Sequence, residues 1–87
     1  MLSNVILYGV IGDKIDSYGR YVLCESVDAL HSKDKTFKVP VIYWTHSKMS
    51  NQLSTMKKGT KVLIRGRLDS NEQFPLYVVC EYIETIL

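Results

Sequence analysis

The sequence predicts one small all-β domain, five strands closed into a barrel with a single short helix between the third and fourth strands. Three observations point there. Short runs rich in β-branched and aliphatic residues alternate along the chain with clusters of Gly, Asp, Asn, Ser and Pro. One stretch, in the middle, changes its apolar spacing from the strand period to the helix period. Finally, 87 residues, 46% hydrophobic and 23% charged, suffice for one soluble domain with a modest core and exclude a second.

The first strand is NVILYGVI, residues 4–11, with Gly9 marking a bend or bulge. GDKIDSYGR, residues 12–20, is rich in turn formers and reads as a connection. YVLCESVDAL, residues 21–30, is the second strand, and HSKDKT, residues 31–36, a polar, basic loop tip. FKVPVIYWT, residues 37–45, is the third strand, in which Pro40 demands an edge or a bulge because it has no N–H for a ladder. The period then changes. In HSKMSNQLSTMKKG, residues 46–59, Met49, Leu53 and Met56 fall on one face of a helix of about three turns. Ser47 suits its N-cap, Lys57 and Lys58 its negative C-terminal end, and Gly59 a left-handed C′ position. The apolar face of such a helix would plug the bottom of the barrel.

TKVLIRGRL, residues 60–68, is the fourth strand. Val62, Ile64, Gly66 and Leu68 share one face, and Lys61, Leu63, Arg65 and Arg67 the other, which assigns a core side and a basic side. DSNEQFP, residues 69–75, is a turn-rich loop before the last strand, LYVVCEYIETIL, residues 76–87. The order β-β-β-α-β-β is that of the five-stranded OB barrel, whose strand 2–3 face and adjoining loops bind oligonucleotides or oligosaccharides.

A core this small gains from a disulfide, a metal or self-association. Cys24 and Cys80 lie far apart, each in an apolar stretch, which fits two buried free thiols and neither a disulfide framework nor a metal knuckle. His31 and His46 stand without a ligand cluster, so neither metal nor other cofactor is expected, whereas the small core and unpaired strand edges point to a homo-oligomer, a dimer or a tetramer. The start has no basic lead-in to its apolar run and no stretch approaches a membrane span, which points to a cytoplasmic protein. Net charge is +2 but uneven: residues 33–67 hold nine basic residues against Asp34, a balance of +8 between ends of −2 and −4. A positive middle suits a polyanion bound on one face, as well as an ordinary solvated surface.

Two motifs resemble the bacterial and phage single-stranded DNA-binding proteins, the SSB family. NVILYGVIGD is similar to that family's opening N-x-V-x-L-x-G-x-x-G strand, with Asn4, Val5, Leu7, Gly9 and Gly12 in place. KKGTKVLIRGRL is similar to its K-G-x-x-V-x-I-x-G-x-L signature, with Lys58, Gly59, Val62, Ile64, Gly66 and Leu68 matching, and Tyr77 to Leu87 looks like its closing strand. The likeness spans nearly the whole chain, its middle third in pattern more than in letters. The family's linker and acidic tip, which recruit other proteins, have no counterpart here. The resemblance therefore implies a short, tail-less member, such as a phage or mobile-element protein or a replication-restart accessory subunit. It also implies a role in DNA replication, recombination or repair.

An unpaired strand offers phosphates and base faces, so a general binder needs cations along a groove and flat side chains for stacking. The candidate cations are Arg65 and Arg67 on strand four, Lys33, Lys35 and Lys38 around the 2–3 loop, and Arg20 at the start of strand two. Candidates for stacking are Phe37, the pair Tyr43 and Trp44, then Tyr21, Phe74 and Tyr77. Neighbours on a strand face opposite sides, so one of Tyr43 and Trp44 points inward; the rarity of full tryptophan burial favours Trp44 outside. Tyr8 and Tyr82 read as structural.

A catalyst is not expected: the sequence has no Ser/His/Asp or Cys/His arrangement, no Walker loop, and no βαβ unit around Gly9 and Gly12. The main rival is a protein-interaction subunit of a primosome-like complex, with nucleic acid secondary; its apolar contacts would barely respond to salt, whereas phosphate contacts weaken steeply. A small RNA binder ranks third, because the clustered Gly-Phe aromatic motifs of cold-shock proteins are missing.

Overall fold

The structure, a computed structural model, describes residues 3–28, 30–45 and 52–86. Five strands, β1 (Val5–Lys14), β2 (Gly19–Asp28), β3 (Lys33–Tyr43), β4 (Lys61–Asp69) and β5 (Tyr77–Thr85), close into a barrel in the order β1-β2-β3-β5-β4. All neighbours are antiparallel except β3 and β5, which pair in parallel over Val41–Tyr43 and Val78–Cys80. This is the OB barrel that the element order predicts.

Alternation along each strand builds the core. Ile11, Val22, Val41, Val62, Ile64 and Val78 are inaccessible or nearly so, with Cys24, Tyr43, Cys80 and Ile83 packed among them. On β4 the division into Val62, Ile64, Gly66 and Leu68 inside and Lys61, Leu63, Arg65 and Arg67 outside holds. Burying each large aliphatic side chain contributes about 1.5–3 kcal/mol. Both cysteines are free and buried.

Pro40 sits inside β3 without disrupting a ladder. The Tyr43 N–H donates to Tyr18 O at 2.7 Å and the Trp44 N–H to Cys80 O at 3.1 Å, so odd-numbered N–H groups face β2 and even-numbered ones face β5. The missing N–H of Pro40 therefore faces β5 one residue before that pairing begins. Residues 31–36 are not all loop: β3 starts at Lys33 and pairs with β2 as far as Asp28. The β1–β2 pairing reaches only to Leu23 and the β3–β5 pairing starts at Val41, so Cys24–Asp28 and Lys33–Val39 form a two-stranded ribbon that leaves the barrel.

The connection from β3 to β4 differs from the predicted three-turn helix. Its described part contains one 3-10 turn, Leu53–Thr55, and Met56 is already extended (φ −67°, ψ 141°); Ser47 and Met49 lie outside the described residues. Leu53 is nevertheless fully buried, and Met56 packs against the same core. The reason lies on β2. Arg20, expected to meet a ligand, is only 3% exposed. Its Nε and Nη2 donate to Gly12 O at 3.1 and 2.7 Å, and its Nη1 donates to Met56 O at 2.8 Å and Leu53 O at 3.4 Å. Helical carbonyls that would otherwise bond along the chain are thus held by a side chain from the barrel wall. Gly59 takes its positive φ (94°) in a turn closed by the Thr60 N–H on Lys57 O, not at a helix end.

Arg20→Ala would remove every one of these donors and leave three carbonyls short of a partner. The expected cost is about 2–4 kcal/mol of folding stability, read as a lower urea midpoint. Cys80 supplies a second check. Burial pushes its thiol up to about 11 from 9.0. A raised thiol pKa favours the neutral form in the fold, so its contribution is complete below about pH 9 and lost as pH rises towards 11. Urea titrations at pH 8 and 10.5 should show a fall in stability that is smaller by about 2 kcal/mol in Cys80→Ala, the buried Cys24 contributing its own share in both proteins.

Candidate nucleic-acid interface

Strand registers assemble a single outer face from β2, β3, β5 and β4. Tyr21 lies opposite Pro40, and Gly19 opposite Ile42; Ile42 pairs with Val79, and Val79 with Arg67. Pro40, Ile42 and Val79 form a low apolar floor, with Gly19 beside Ile42: a Cβ there would come within 2.7 Å of the Ile42 side chain. Rings and cations stand around this floor.

At one end are Tyr21, Phe74 and Tyr77, with Lys38. Phe74 meets Tyr21 edge-on at 6.4 Å and Tyr77 tilted at 6.4 Å, and the Lys38 ammonium lies 5.1 Å from the Tyr21 ring. Phe74 is placed by its own loop: Asn71 Oδ1 accepts the N–H groups of Gln73 (2.9 Å) and Phe74 (2.7 Å), and the Asn71 N–H returns to Phe74 O at 2.9 Å. A turn-forming Asn three residues before an aromatic thus carries that ring onto the sheet.

At the other end stand two arginines, each over a ring. The Arg67 guanidinium lies 5.1 Å from the Trp44 centroid and that of Arg65 4.5 Å from Tyr82. Trp44 is half-buried on the outside, while Tyr43 is 9% exposed and belongs to the core, so Tyr43 cannot stack on a ligand. Tyr82, a structural residue by sequence pattern, is the additional ring of this face. It is there because β5 bulges: Arg65 pairs with Tyr82 but Gly66 with Cys80, so Glu81 is an extra residue. Cys80 and Ile83 point in while Glu81 and Tyr82 both lie towards solvent, against strict alternation. The Tyr82 hydroxyl donates to Glu84 at 3.0 Å, and that carboxylate raises the phenol pKa.

Arg20 and Tyr43 therefore leave the candidate set as buried structural groups. Lys33, Lys35 and Phe37 lie apart from the outer face. Their odd positions put them on the side of the ribbon that continues into Val39 and the core, with the Lys35 ammonium 5.9 Å from the Phe37 ring. Phe37 is 40% exposed.

No family model matches the sequence, and no curated protein sequence matches it. Solved structures do. The fold is similar to the small single-stranded DNA-binding protein of Streptomyces coelicolor (TM-score 0.61, 12% identity, 98% of this chain and 93% of that one). It is also similar to the dimeric N-terminal domain of PriB from Thermoanaerobacter tencongensis (TM-score 0.55, 16% identity, 97% and 96%). At these identities the likeness is one of fold.

If the half-exposed Trp44 ring lies on the contact surface, oligo-dT should quench the emission of this single tryptophan. Tyr77→Ala and Phe74→Ala should each weaken binding about 5- to 150-fold, the range of one lost stacking contact. Anisotropy of a labelled oligonucleotide reads that change.

Proposed function

We propose that this protein is a sequence-independent single-stranded DNA-binding module, not an enzyme, that lays an oligonucleotide across the outer face of β2, β3, β5 and β4. The carrying observation is a flat apolar floor bordered by Tyr21, Phe74, Tyr77, Trp44 and Tyr82 and by the cations Lys38, Arg67 and Arg65. Rings accept any base face and cations accept any phosphate, so the arrangement suits a strand and does not read its sequence. Lys33, Lys35 and Phe37 would meet the same strand where it passes the ribbon. The similarity in fold to a single-stranded DNA-binding protein supports the reading, and with it a cytoplasmic role in replication, recombination or repair.

Anisotropy of a labelled oligo-dT of roughly 30 nucleotides should report binding that weakens with salt. Arg65→Ala with Arg67→Ala should lower the salt slope by roughly 1.4, about 0.7 for each lost phosphate contact, with little change in the unfolding midpoint. A folded double mutant of unchanged affinity would reject this face. Competition with oligo-U separates DNA from RNA preference.

We further propose that the module is a homodimer. Ile6 (70% exposed) and Tyr8 (58%) lie on the outer face of β1, opposite Arg65 and Leu63 of β4. A groove of about 400 Å³ beside them is lined by Tyr8, Leu23, Glu25, Thr36 and Lys61. A surface that carries apolar side chains and both signs of charge can complement a second copy of itself about a two-fold axis. Light scattering at micromolar concentration should give twice the chain mass of 10.0 kDa, and Tyr8→Lys should give the monomer. A wild-type monomer would refute the dimer.

A further inference from the structure

The bulge in β5 places an acid among the cations of the outer face. Glu81 Oε2 lies 3.1 Å from Arg67 Nη1, both side chains being only about one third exposed, while the same guanidinium lies over the Trp44 ring. Without the extra residue, strict alternation from Cys80 would point Tyr82 inward; with it, Glu81 and Tyr82 both remain outside, one beside each arginine. Two neighbouring acids are engaged differently: Glu84 accepts from the Tyr82 hydroxyl at 3.0 Å, and Asp69, opposite Tyr77 at the far end of the face, accepts the Ser70 N–H at 2.8 Å.

We infer that Glu81 is a positioning residue that holds Arg67 as a cover over Trp44 until a phosphate takes its place. The inference rests on the single-strand binding reading and adds to it a specific antagonist. Carboxylate and phosphate oxygens make the same charge-assisted bonds to a guanidinium, so Glu81 competes with the nucleic-acid backbone for Arg67. A guanidinium drawn towards a phosphate leaves the Trp44 ring, which becomes open to a base. Phosphate binding and base stacking at this end are thereby one event, and the carboxylate sets its threshold.

The test is Glu81→Gln, which keeps the shape of the side chain and removes its charge. Oligo-dT binding to the full chain is measured by anisotropy and Trp44 emission over a salt series, alone and in the Arg67→Ala background, with thermal unfolding as the check of folding. The expected result is tighter binding by about two- to fivefold, the range an exposed ion pair represents, with a salt slope steeper by up to roughly 0.7. The gain should be lost in the Arg67→Ala background. A merely structural Glu81 would give weaker or unchanged binding in Glu81→Gln, and that outcome overturns the inference while leaving the binding face standing. A gain that persists in full without Arg67 also overturns it, by reducing the effect to net charge. Wild-type protein that binds no oligonucleotide even at the lowest salt rejects the binding reading and this inference together.

Discussion

The barrel depends on the burial of one charge. Arg20 brings a guanidinium into the wall between β1 and the connection that follows β3, and satisfies it with backbone carbonyls alone: Gly12 on one side, Met56 and Leu53 on the other. The desolvation cost of a guanidinium in the barrel wall is met only if those carbonyls stay in place. The 3-10 turn is held against the barrel end, Leu53 closes the core, and the chain reaches Gly59 in position for the turn to dock on β1. That docking is a pair of backbone bonds, the Gly59 N–H to Ile11 O at 2.8 Å and the Ile11 N–H to Thr60 O at 2.9 Å. Side-chain hydrogen bonding thus does the work that a longer helix would do by its own ladder.

A second constraint acts where β4 and β5 cross most closely. A Cβ on Gly66 would overlap the carbonyl oxygen of Val79, so only glycine allows β5 to run there. The same place is the bulge, and the bulge decides what the outer face carries. The core side of β5 is unchanged by it, since Cys80 and Ile83 remain buried. The solvent side gains two consecutive side chains, an acid and a ring, each next to an arginine. A local accommodation in packing is therefore also a decision about charge on the surface.

The two faces of the ribbon explain why the basic middle of the chain does not act as one patch. Lys38 is directed with Tyr21 onto the outer face, whereas Lys33 and Lys35 follow Phe37 onto the other side. Among the described residues, each strand beyond Leu23 and before Pro40 has only the other as partner, and a two-stranded ribbon gains little from a core. Its charged side chains are accordingly accessible from both sides, which suits contact with a flexible strand more than with a rigid surface.

The sequence alone determined the succession of five strands, the core and basic sides of β4 and the place of Leu53 under the barrel, and it favoured Trp44 over Tyr43 on the outside. These follow from local rules: period two for strands, turn formers between them, and the rarity of fully buried tryptophan. The motifs around Gly9 and Gly66 carried the resemblance for the same reason, since glycine is demanded where backbones approach. What only the tertiary structure decided were matters of pairing between distant residues. Arg20 reads as one more surface cation until Gly12 and Met56 are brought to it, because charge in a sequence carries no information about burial. The helical spacing of Met49, Leu53 and Met56 does not reveal that Met56 O is taken by a side chain 36 positions earlier. Glu81 and Tyr82 look like one outward and one inward residue, because alternation assumes an unbroken ladder. A bulge arises from the fit of two strands, and neither strand encodes it alone.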